Sequence, residues 1–120
     1  MSQTQVVSIA PHDEAVNASI CQPRLDDAAI EQMQERISAA AAEHRGKPVI
    51  LDMSKVEYVP SLGLGALVGL MRRLRQDAHR FVLVGLQAEV RTLFSITRLD
   101  KLFEIRSTVD EALEHLRSGA

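Results

Sequence analysis

Ser61 is the side chain of this sequence best placed to do chemistry. It stands where a turn meets the apolar run SLGLGALVGLMRRLR, a position from which its hydroxyl can cap a helix by accepting a hydrogen bond from a free backbone N–H. No acidic residue lies between Ser61 and Gln76, whereas Arg72, Arg73 and Arg75 crowd the far end. The positive end of the helix dipole is therefore uncompensated beside a hydroxyl, an arrangement that favours a phosphate there.

Other chemistries fit less well. Val59-Pro60-Ser61-Leu62-Gly63 sits where a nucleophile elbow would, with Asp100 and His115 following in hydrolase order. The first elbow glycine is absent and the chain is far shorter than such hydrolases, so no catalysis is expected. Gly63, Gly65 and Gly69 superficially match a dinucleotide-binding turn, but they begin well after the preceding strand and no acid follows the next one. His12, His44, His79 and His115 lie in different elements without a second ligand at metal spacing, so neither a metal nor a cofactor is expected. His44 and His115 fall in last helical turns, where they are expected to meet carbonyl ends. Cys21 has no partner for an internal disulfide and reads as a buried strand thiol in a reducing compartment.

The elements that position Ser61 follow from hydrophobic periodicity. Val49 to Leu51 form an apolar run that predicts a strand covered on both faces, and Phe81 to Val84 predict a second, parallel to it. The helix between them should cross over in the right-handed sense and lie on one sheet face. On its wheel Leu64, Leu67, Val68, Met71 and Leu74 make the core side, while Leu62, Gly65, Ala66, Gly69 and Arg73 make an opposite strip too small and apolar for a solvated helix. Upstream, residues 5–10 and 15–21 predict a hairpin. A helix capped by Asp26 or Asp27 follows, with Ile30, Met33, Ile37 and Ala40 or Ala41 inward, stopped by Gly46 and Pro48. Downstream, residues 87–98 predict a helix burying Val90, Leu93, Phe94 and Thr97, and residues 102–105 a short strand. Thr108 and Glu111 form a capping box for a last helix burying Val109, Ala112, Leu113 and Leu116.

These 120 residues, 46% hydrophobic and 25% charged, fit one globular domain, residues 1–120 with a core over 5–117. The class is α/β: a mixed sheet of about four to five strands with about four helices. A net charge of −2 and 3% aromatic residues argue against nucleic acid and anionic membranes as partners. Nothing approaches the roughly 18 apolar residues of a membrane span, and the N-terminus is not a secretory signal. A cytoplasmic location is expected.

With these residues in view, VILDMSKVEYVPSLGLGALVGLMRRLR resembles the core signature of STAS domains, in particular the stand-alone bacterial anti-sigma factor antagonists. RLDDA and FVLVGLQAEVRTLFSITRLDKLFEI extend the resemblance over residues 18 to 116. It implies that Ser61 is the phosphorylatable serine, that Gly63, Leu64 and Gly65 are the Gly-Leu-Gly after it, that Asp52 is the strand-end acid, and that Asp26 is the acid beside the phosphorylation loop. Pro60 stands where the family usually has Asp, and Leu62 where it usually has Ser or Thr. The resemblance implies a non-catalytic partner-switching regulator, monomeric when free. Its partners would be an anti-sigma factor with serine kinase activity, which it binds unphosphorylated, and a serine phosphatase. Asp26, Leu62, Gly63, Gly65, Ala66, Gly69 and Arg73 are the expected binding residues. A constitutive accessory subunit of a transporter ATPase or signalling assembly, using the same helix without phosphorylation, is the alternative.

Overall fold

The computed structural model describes residues 6–118. Its centre is the pair of apolar strands. β3 (Val49–Asp52) and β4 (Phe81–Val84) run parallel with Val49 opposite Phe81 and Leu51 opposite Leu83. β2 (Val16–Ile20) joins β3 in parallel, and β1 (Val7–Pro11) pairs antiparallel with β2 as the predicted hairpin, whose expected start at residue 5 lies outside the described residues. β5 (Glu104–Arg106) closes the other edge parallel to β4. The strand order is therefore 1-2-3-4-5, a mixed five-stranded sheet.

Each parallel step carries a helix, and equal handedness of the crossovers puts all three on one face. α1 (Asp27–Glu43), α2 (Ser61–Gln76) and α3 (Ala88–Ile96) share a core with Val16, Val49, Leu51, Phe81 and Leu83. The last helix, α4 (Val109–Arg117), lies on the opposite face, where Ala112 and Leu113 meet Ile50, Val82 and Val84. β3 and β4 are thus covered on both sides, as their unbroken apolar runs require. Among the described residues no helix is long and apolar enough to cross a membrane.

Local chemistry sets the boundaries. Asp26 caps α1, its carboxylate accepting from the Ala29 N–H at 3.0 Å. Thr108 caps α4 by accepting from the Glu111 N–H at 3.1 Å, but the Glu111 carboxylate reaches back to the Ser107 N–H rather than to that of Thr108, so the box is one residue out of register. The final strand starts at Glu104 rather than Leu102, because Phe103 turns inward against Phe81 and Phe94 and leaves Leu102 outside. In α3, Val90 and Phe94 are buried while Thr97 is an exposed C-cap whose hydroxyl donates to the Leu93 carbonyl. In α1, Ala29 takes the buried position and Ile30 is half-buried. Cys21 is half-buried just past the end of β2, not within it. His115 does not meet carbonyl ends: its ring lies 3.0 Å from the Arg106 guanidinium and 3.8 Å from Glu104.

Candidate functional site

Ser61 begins α2, but it is not the cap. Pro60 is the N-cap residue, its extended backbone (φ −64°, ψ 163°) delivering its carbonyl to the Leu64 N–H at 3.0 Å. Proline's fixed φ suits that entry, and it moves the helix start one residue ahead of the expected position. Ser61 therefore becomes the first helical residue, and no side chain caps the helix. Its exposed hydroxyl takes part in no hydrogen bond within the described residues. The first turn contains no acid and the last turn carries Arg73 and Arg75. The free N–H groups at the start of α2 keep their positive potential, and the arginines complement the carbonyl end.

The buried face of α2 also differs from the expected one. Gly63, Leu67, Leu70, Met71 and Leu74 are buried, while Leu64 and Val68, expected in the core, are half-buried. Gly63 lies beneath the surface: a Cβ there would stand 3.1 Å from Leu25 Cδ2 and 3.1 Å from Val59 Cγ1. Its expected place in a binding patch is therefore taken by intramolecular packing. Leu62, Gly65, Gly69 and Arg73 are exposed and Ala66 is half-buried, so that strip faces outward as predicted. Leu62 is 69% exposed. A Cβ at Gly65 or Gly69 would meet nothing within 4 Å. Each such glycine costs a helix about 1 kcal/mol relative to alanine, and the packing of the described residues gives no reason for it.

The segment carrying Asp26 is fastened to the loop that leads into Ser61. Arg24 and Tyr58 form an isolated parallel bridge, the Leu25 N–H donates to the Tyr58 carbonyl at 3.1 Å, and the Glu57 N–H donates to the Pro23 carbonyl at 2.7 Å. Leu25 and Val59 then both close over Gly63. Asp26 is held below its ordinary pKa of 3.8, chiefly by the Ala29 N–H and further by the Gln22 amide. Asp52 sits apart, its Oδ1 accepting from the Ser54 N–H at 2.9 Å in the turn after β3. Tyr58, 52% exposed with the Arg24 guanidinium 5.0 Å from its ring centroid, belongs to this junction and escaped sequence reasoning. Only the non-local bridge to Arg24 brings it there. His115 lies on the α4 face of the sheet and Ser61 on a helix of the other face, so no hydrolase triad is assembled.

A mixed sheet carrying three helices on one face, with an exposed serine opening the middle one, defines a class rather than an individual protein. The STAS domain family model matches residues 20–112, and the chain belongs to that family. An anti-sigma-B factor antagonist of Listeria monocytogenes is 39% identical over 61 residues, 51% of this chain and 54% of that one, so the chain spans about half of that relative's length. An anti-sigma F factor antagonist of Lysinibacillus sphaericus is 28% identical over 93 residues, 78% of this chain and 79% of that one. Among solved structures, the anti-sigma factor antagonist SpoIIAA in its unphosphorylated form superposes with a TM-score of 0.76 at 25% identity, covering 93% of this chain and 96% of that one.

Proposed function

We propose that this chain is a non-catalytic partner-switching regulator whose unphosphorylated form docks on an anti-sigma factor through the start of α2. The observation that carries this reading is the exposed, unbonded Ser61 hydroxyl at an uncapped helix N-terminus, next to a Leu62 that is 69% exposed. The relatives named as anti-sigma factor antagonists support the choice of partner. Leu62, Gly65, Ala66, Gly69 and Arg73 form the docking strip, and Asp26 marks its border through the Arg24–Tyr58 bridge.

The direction of the switch follows from charge. A phosphate on Ser61 adds about −1.5 to −2 units at neutral pH. In the free protein it would lie against the N–H groups of α2, a setting that stabilises negative charge by about 0.3–1 kcal/mol. Against a partner seated over Leu62 the same phosphate would have to be desolvated beside an apolar contact, so the complex opens. The partner's serine kinase activity closes one half of the cycle and a serine phosphatase the other. ATP belongs to the kinase, and this chain needs no cofactor. The protein works in the cytoplasm and is monomeric when free.

The test is binding to the candidate anti-sigma factor. Ser61→Ala keeps the complex and Ser61→Asp weakens it at least tenfold. Equal binding by both variants and the parent would remove Ser61 from the switch. A second reading, a constitutive accessory subunit of a transporter ATPase or signalling assembly, is favoured by Pro60 and Leu62, which replace an acid and a hydroxyl next to Ser61. Intact mass after incubation with kinase and ATP separates the two: addition of one phosphate at Ser61 supports the switch, and none supports the constitutive subunit.

A further inference from the structure

Away from the Ser61 end, the C-terminal ends of α1 and α2 diverge around an open groove of about 630 Å³, within the usual range of small-molecule sites. Arg45 at the end of α1 and Arg73 on α2 stand on its walls, both exposed and neither in an ion pair among the described residues. Asp77 is the acid on the rim, so the lining keeps a net positive charge. The carbonyl end of α2, which would repel an anion, is blunted by a Schellman turn. The His79 N–H donates to the Leu74 carbonyl at 2.8 Å and the Ala78 N–H to the Arg75 carbonyl at 3.1 Å, with Ala78 in the left-handed region at φ 64°.

That turn delivers His79 to the groove lining at only 4% exposure. Its Nδ1 lies 2.8 Å from the Lys47 carbonyl, which can only accept, so Nδ1 carries the proton and, in the neutral ring, Nε2 is left as an acceptor open to a hydroxyl. Ser38 lines the same groove from α1, and its Oγ is buried with no hydrogen-bond partner among the described residues. Buried hydroxyls are nearly always bonded. A turn about χ1 would offer this one to an acceptor in the groove. Two unpaired guanidinium groups and an unbonded hydroxyl are together complementary to a small group bearing negative oxygen acceptors, and the open imidazole nitrogen to a hydroxyl carried beside them.

We propose that this groove binds a small oxyanion ligand, a phosphate- or carboxylate-bearing metabolite gripped by Arg45 and Arg73, with an anionic oxygen accepting from Ser38 and a ligand hydroxyl donating to His79 Nε2. The test is a backbone amide NMR titration of the full chain with pyrophosphate and, separately, citrate, at constant ionic strength. Saturable shifts centred on Ser38, Arg73, Ala78 and His79 with either probe are expected, and which probe binds tells phosphate from carboxylate. The doubly substituted Arg45→Gln, Arg73→Gln chain should bind at least tenfold more weakly. An Arg72→Gln, Arg91→Gln chain, which loses the same charge outside the groove, should titrate like the parent. Shifts that fail to saturate with both probes, or equal weakening in the two double variants, would overturn the proposal.

Discussion

Leu62→Glu would place a carboxylate on a side chain that is 69% exposed. Folding stability should stay within about 0.5 kcal/mol of the parent, as for surface substitutions generally. Affinity for the anti-sigma factor should fall by roughly 30-fold or more, the loss of a buried anchor worth about 2 kcal/mol. Thermal melting and titration calorimetry on one sample check both halves. Its neighbour behaves oppositely. Gly63→Ala forces a methyl to 3.1 Å from Leu25 and Val59, which are 0% and 2% exposed and have nowhere to go. The helix-propensity gain of about 1 kcal/mol is outweighed by overpacking of about 1–3 kcal/mol, so urea denaturation should show net destabilisation of about 1 kcal/mol.

At the scale of elements, Gly65 and Gly69 reverse that outcome. With open space where a Cβ would go, Gly65→Ala and Gly69→Ala should each stabilise the fold by about 0.5–1 kcal/mol. Both should weaken the complex, because the added methyls hold a docking surface away from the α2 backbone. A raised melting temperature with unchanged affinity would mean that the strip touches no partner. The strands and helices themselves were legible, since Val49 to Leu51 and Phe81 to Val84 admit no polar face and Met33, Ile37, Leu67, Met71 and Leu74 keep a helical period. The inward face of α2 was not. It goes with the burial of Gly63 and Leu70, and a glycine carries no hydrophobic signal to mark its side as inward. The joining of 22–26 to 57–61 was equally silent, being made by main-chain hydrogen bonds to which side-chain pattern is blind. His79, a polar residue before a strand, offered no sign of its burial.

For the whole molecule, the weakest coverage is on the α4 face, where one nine-residue helix shields the second side of β3 and β4. Leu113→Ala should cost about 2–3 kcal/mol, read as a lower urea midpoint. Acid should loosen two fastenings. The Arg117 guanidinium donates to both Glu14 oxygens at 2.6 and 2.7 Å and holds that carboxyl below its ordinary value of 4.5. The Ala29 N–H does the same for Asp26, below 3.8. Both acids bind protons more weakly folded than unfolded. Their stabilisation is therefore complete above the ordinary values and is lost as the pH drops through the folded-state ones. The urea midpoint should begin to fall below about pH 4.5, and Glu14→Gln should flatten part of that decline.

The bond between Glu14 and Arg117 joins residues 103 positions apart. During synthesis, α1 and α2 can settle on their side of the sheet while Ile50, Val82 and Val84 on the other still face water. Only when α4 leaves the ribosome is that side roofed and latched to the start of β2. A nascent chain would thus shape α2 before its own back is sealed, and a chain cut short before Val109 would expose a sticky sheet beneath an otherwise complete helical face.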